Sequence, residues 1–154
     1  MAKTSHSTVL VKGNPIFKEY PLDSFDIYGN GAVRPGMLVD VSDGKCSPQY
    51  DDTNYTPPTF AHEGLAIDAD SKTMGDILTE YDTVGQAVRV GYHQPGDEIV
   101  ALLAAGQDVS MGAFLVSNGD GGLKAGSSNI VCRALEAVDN NPGTDFKTIL
   151  VEVM

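Results

Sequence analysis

Tryptophan is absent from this chain of 154 residues, and only two residues are cysteine. Cys46 and Cys132 are too few for the disulfide framework of a small secreted domain, and they fit no metal spacing. They are expected as two free thiols, one on a loop and one in a strand. Positive charge is scarce: ten Lys and Arg stand against 21 Asp and Glu, a net charge of −11. Nucleic-acid binding draws its affinity from Lys and Arg on phosphates, and anionic membranes attract the same residues, so the balance argues against both partners. No apolar run reaches the length of a membrane-spanning helix, and none is expected. The opening "MAKTSHSTVLVKGNP" lacks the apolar stretch of a secretory signal, so synthesis in the cytoplasm is expected. The length suits one domain with a sizeable core.

Catalytic patterns are missing too. His62-Glu63 opens like a zinc-protease helix, but Gly64-Leu65-Ala66 follow and no second histidine completes the motif. Ser127-Ser128 lacks the G-x-S-x-G elbow, and no glycine-rich loop ends in Gly-Lys-Ser/Thr. The reading is therefore no enzyme, with no catalytic residue, no metal and no cofactor.

What is present is β-strand grammar. Met37–Ser42, Gln86–His93, Ile99–Ala105, Ala113–Ser117, Ile130–Val138 and Phe146–Val153 read as strands, and "GLAID" (Gly64 to Asp68) as a short one. Val88, Val90 and Tyr92 share one face, as do Ile149, Val151 and Val153. "IVALLAA" is apolar throughout, and implies burial on both faces or cover by a partner. Asn118-Gly119 and Asp120-Gly121 are turn dipeptides, and a hairpin corner accounts for that glycine-rich stretch without a ligand. Val33 to Gly44 and Val109 to Gly121 follow one plan: Val-x-x-Gly, a short apolar strand, then Asp-Gly. Met74, Ile77, Leu78 and Tyr81 have helical spacing and predict one short helix, weakened by Gly75.

Two regions stand apart. Residues 1–31 read as an extended N-terminal arm ahead of a β domain at 32–154. The apolar residues of the arm, Val9, Leu10, Val11, Ile16, Phe17 and Tyr20 among them, call for a surface, either on a neighbour or on the chain's own domain. The stretch from Cys46 to Thr59 reads as a long polar loop, with Tyr50 and Tyr55 as candidate contacts.

The order of segments carries a resemblance. "AVRPGMLVDV", "HEGLAID", a Tyr followed by Val-x-Val, Pro95-Gly96-Asp97, "ALLAAG", Val109-x-x-Gly112, the Gly- and Asp-rich turn and "CRALEAVD" resemble the capsid decoration, or cement, proteins of tailed bacteriophages over roughly residues 32 to 154. The resemblance implies an all-β fold, a small β-barrel or tulip-like domain, often trimeric. It implies a structural protein on the outer capsid surface, with the major capsid protein and copies of itself as partners, and an arm that reaches over capsid or neighbouring subunits. A carbohydrate- or receptor-binding β domain using Tyr50 and Tyr55 is the alternative. "GLAID" also resembles a motif of trimeric dUTPase-type hydrolases, but the closing "KTILVEVM" reads as a strand where that family carries a glycine-rich tail.

Overall fold

The strands follow from short runs of β-branched and apolar residues separated by Pro-Gly, Asp-Gly and Asn-Gly turns. The computed structural model describes residues 9–23, 32–51, 53, 57–63, 65–66, 76–77 and 80–154. In chain order the strands are β1 (Leu10–Lys12), β2 (Ile16–Pro21), β3 (Val39–Ser42), β4 (Lys45–Pro48), β5 (Thr59–His62), β6 (Leu65–Ala66), β7 (Asp76–Ile77) and β8 (Ala87–Tyr92). They continue with β9 (Glu98–Leu103), β10 (Asp108–Val109), β11 (Phe114–Ser117), β12 (Leu123–Ala125), β13 (Cys132–Ala134), β14 (Val138–Asp139) and β15 (Lys147–Val153). The fold is all-β.

Strands β9, β12, β11, β13 and β15 close into a five-strand barrel, because β15 returns to pair with β9 along Lys147–Leu103 to Glu152–Glu98. Alternation decides what the barrel encloses: Ile99, Ala101 and Leu103 of β9 and Ile149, Val151 and Val153 of β15 are buried, together with Leu115, Leu123, Cys132 and Ala134. A second apolar cluster lies under the three-stranded sheet β2-β8-β5 and the β3–β4 hairpin, built from Leu22, Val33, Val39, Cys46, Ala61, Tyr81, Val88 and Val90. Leu38 and Phe60 form a bridge between segments and belong to the barrel cluster, which ties the two halves together.

The outer side of β9 is covered by the chain itself. Three separate segments serve successive amides: Val100 donates to Val9, Leu102 to Gly36 and Ala104 to Leu123. Gly36 comes so near that a Cβ there would sit 2.8 Å from the Val100 carbonyl oxygen. Gly36 also has φ of 91° and follows Pro35, and the Met37 amide donates to the Arg34 carbonyl at 3.1 Å, the pattern of a type II turn. The turn at Gln94-Pro95-Gly96-Asp97 repeats it.

Several expectations change. No helix occurs among the described residues. Asp76–Ile77 pairs antiparallel with Leu65–Ala66, and Tyr81 forms a bridge with Val33. Met74 and Leu78 lie outside the described residues. A helix of about two turns bears the full nucleation cost, with a glycine to weaken it; burial of Tyr81 in the second cluster, its hydroxyl donating to the His62 carbonyl at 2.6 Å, decides that position instead. Cys46 is in strand β4 and not on a loop, because Asp43 and Gly44, both with positive φ, make a two-residue hairpin turn. The run Ile130–Val138 divides into β13 and β14, since the Leu135 amide turns to the Leu150 carbonyl and the Glu136 carboxylate accepts the Leu150 amide.

Candidate functional site

The described part of the expected arm, residues 9–23, lies on the chain's own sheets. β1 pairs with β9, and β2 pairs with β8 over its whole length. Alternation then sorts the six arm residues. Val9 is buried in the barrel cluster and Leu10 packs against it. Phe17 sets its ring edge-on to His62 at 4.8 Å, beneath the Arg89 guanidinium at 4.0 Å. Tyr20 shares a 2.7 Å hydrogen bond between its hydroxyl and that of Tyr92. Val11 and Ile16 face outward, 55% and 59% exposed. Of the two surfaces the sequence left open, Val9, Leu10, Phe17 and Tyr20 take their own domain, and Val11 and Ile16 stay exposed.

Tyr50 lines a cleft of about 530 Å³ together with Arg34, Met37, Asp120, Asp145 and Phe146. The glycine-rich hairpin corner forms one wall. Leu115 to Ser117 pair with Ala125 to Leu123, so the stretch is a hairpin. Its tip is held by the Gly122 amide donating to Asp120, by Leu38 donating to Gly121, and by Gly121 donating to Gln49. The Ser117 hydroxyl donates to the Gln49 side chain, which fixes the start of the loop that carries Tyr50. On the opposite wall Arg34 donates to Asp145 at 2.8 Å and lies 5.6 Å over the Phe146 ring. The Phe146 amide and then Arg34 hold the exposed Asp145 carboxyl below the usual carboxylate range. Tyr55 lies outside the described residues.

Sequence reasoning did not foresee a buried polar chain between the two halves. His62 Nε2 and His93 Nε2 are 2.7 Å apart, and His93 Nδ1 lies 3.0 Å from the Asp97 carboxylate. The two imidazoles stack at 4.9 Å with 18° between planes. All three residues are buried. β5 supplies His62, the end of β8 supplies His93, and the Pro95-Gly96 turn brings Asp97 back to it. Gly91 leaves room for the rings: a Cβ there would stand 2.5 Å from His62 Nε2. Burial pushes the His62 pKa down to about 3, helped by His93 and Arg89. Burial lowers His93 as well, against the opposing pull of Asp97. The i,i+4 spacing of His93 and Asp97 was visible in the sequence; nothing there linked them to His62.

No protein-family profile and no curated protein sequence matches this chain.

The His–His–Asp chain has the hydrogen-bond order of a general-base relay, with no nucleophile hydrogen-bonded to its His62 end among the described residues. Both cysteines are free and buried, and burial raises both thiols, Cys46 to about 12. Glu63, beside His62, accepts the Val9 amide at 3.0 Å. Among the described residues no group of three His, Cys, Asp or Glu side chains is placed to hold a metal ion. The relay is buried, and the outward features include the cleft at Tyr50 and the exposed apolar residues Val11, Ile16, Val84, Met111, Phe114 and Met154.

Proposed function

We propose that this chain is a structural virion protein that binds the outer surface of a mature phage capsid and cements adjacent major capsid subunits. The observation that carries the reading is where the resembling motifs fall. Pro95-Gly96-Asp97 is the turn into β9, "ALLAAG" is the body and exit of β9, Val109-x-x-Gly112 is the turn into β11, and the Gly- and Asp-rich stretch is the β11–β12 corner. These resembling motifs build or enter the barrel, while "AVRPGMLVDV" and the Val-x-Val of β8 fall in the second half, so the resemblance spreads over both halves and supports a domain like that of the decoration proteins as a whole. In this reading the chain acts without chemistry. A protein that binds the expanded lattice and not its dissociated subunits stabilises it by mass action. The acidic chain faces away from packaged DNA, trimers form at the lattice, and Val11 and Ile16 supply apolar contacts to a neighbour.

The test is co-sedimentation of the purified full chain with expanded capsids. Saturable binding with a rise in the temperature of capsid disruption is expected, and weaker binding for Val11→Asp and Ile16→Asp with an unchanged fold. Absence of binding at micromolar protein would overturn the reading. The cleft favours a second reading: Tyr50 and Phe146 are aromatic walls of the kind that stack on sugars. A glycan array separates the two.

A further inference from the structure

The N-terminal segment lies over the buried histidines. Phe17 of β2 meets the His62 ring, the Val9 amide is held by Glu63 beside it, and Gly13 passes so near Asp97 that a Cβ would sit 2.2 Å from its Oδ1. We propose that His62, His93 and Asp97 form an acid-sensitive latch that holds β1 and β2 on the domain and releases them when the histidine pair takes up a second proton.

The proton count follows from the geometry. The Asp97 carboxylate accepts the Gln94 amide at 3.2 Å and the His93 Nδ1–H at 3.0 Å. The 2.7 Å gap between the Nε2 atoms then holds one hydrogen. In the neutral pair His62 donates it to His93. A first added proton is accommodated: it enters on His62 Nδ1 while the shared hydrogen passes to His93, which becomes an imidazolium balanced by Asp97 and donates to His62 Nε2. A second proton sets N–H against N–H across the gap and places two cations side by side with one carboxylate between them. The surroundings offer little relief. Arg89 of β8, over Phe17, adds a third positive charge. Glu63 is engaged by Val9, Glu98 faces Lys12 at 3.8 Å, Glu19 stands opposite Arg89 in the β2–β8 register, and Tyr81 donates its hydroxyl to the His62 carbonyl. Phe17 and Phe60 close the ring edges.

The sign is fixed by linkage. Well below the ordinary histidine range, near pH 6.5, where the closed latch has taken its first proton, two freed imidazoles bind two protons against its one. The released state therefore binds more protons, and acid favours it by up to about tenfold per pH unit. The depressed His62 sets the window, from about pH 6.5 towards about 3, with the latch fully closed above it. β1 and β2 open before the barrel because each is hydrogen-bonded to a single neighbouring strand, and β1 is three residues long with an irregular register.

Hydrogen exchange of the full chain, read by mass spectrometry between about pH 7 and pH 4 and corrected for intrinsic rates, tests this. Protection over residues 9–21 should fall up to about tenfold per pH unit while residues 147–153 stay protected. His62→Gln keeps a donor or acceptor at the Nε2 position without a titrating group, and should flatten the profile. Asp97→Asn removes the charge that balances the first proton, and should move release to higher pH. Protection that ignores pH overturns the latch, as does equal loss in both segments. A His62→Gln profile like the wild type's overturns the assignment. Should that variant not fold, an Asp97→Asn profile that does not move overturns it equally.

Discussion

Gly91→Ala adds one methyl group and should cost about as much as a core truncation. Gly91 has ordinary extended backbone, so alanine brings no conformational strain; in a strand it would gain about 0.5–1 kcal/mol over glycine. Space decides the sign. The new Cβ would stand 2.5 Å from His62 Nε2 and 2.7 Å from His62 Cδ2, closer than real Cβ contacts come, and 3.0 Å from His93 Nε2, tighter than most. Neither ring can retreat easily: Phe17 abuts His62, Phe60 abuts His93, and Asp97 holds His93 by its Nδ1. Overpacking of this kind costs about 1–3 kcal/mol. Parting the Nε2 atoms leaves at least one buried nitrogen unpaired, about 1–3 kcal/mol more. Subtracting the backbone gain leaves a net loss of about 1–5 kcal/mol. Urea unfolding near pH 7.5 would show it as a midpoint lower by about 1–2 M, with an unchanged slope. Gly112→Ala is the control. Gly112 has φ of 87° but nothing within 4 Å of a Cβ, so it carries only the left-handed backbone cost of about 1–2 kcal/mol. If Gly91→Ala falls within 1 kcal/mol of wild type or costs no more than the control, the histidine pair is not the rigid element described above.

Both cysteines should resist alkylation in the folded protein, because each is buried and its thiol pKa is raised, and both should react in denaturant without reductant; intact mass should read no adducts and then two, and an adduct on the native protein would contradict the burial. Removing residues 1–22 should destabilise the remaining domain by about 3–6 kcal/mol, the burial of Val9 and Leu22 alone at about 1.5–3 kcal/mol each. An unfolding midpoint equal to the full chain's would show that this segment is an appendage after all.

Strands whose two faces differ were legible. β8 and β15 alternate cleanly, and their buried valines and isoleucine are those the pattern named. β9 was legible as an apolar run, but its outer cover was not, since Val9, Gly36 and Leu123 come from three distant places. β2 was hidden because it is an edge strand. Lys18 and Glu19 are both exposed and interrupt its alternation, and the flanking prolines read as loop. β5, "TFAH", is buried at all four positions with neither alternation nor a β-branched run to announce it. The same lack concealed His62. A lone histidine beside a glutamate suggests a metal motif, and only the register of β5 on β8, with His62 opposite Arg89, brings it to His93. The candidate surface was half legible: Tyr50 lies on the cleft, but which arm residues turn outward depended on a pairing the sequence did not specify.

The patched side of β9 has a consequence for solubility. A bare edge along "EIVALL" would be an apolar template for any other extended chain. The domain covers it with three short segments, each from a different part of the polypeptide. Protection from aggregation is therefore acquired late, when the distant pieces meet, and is lost early, when any one of them lifts. The net charge of −11 keeps finished molecules apart. It does little for a half-folded one whose barrel strand is already formed and still uncovered, and it is in that species, not in the native domain, that aggregation would begin.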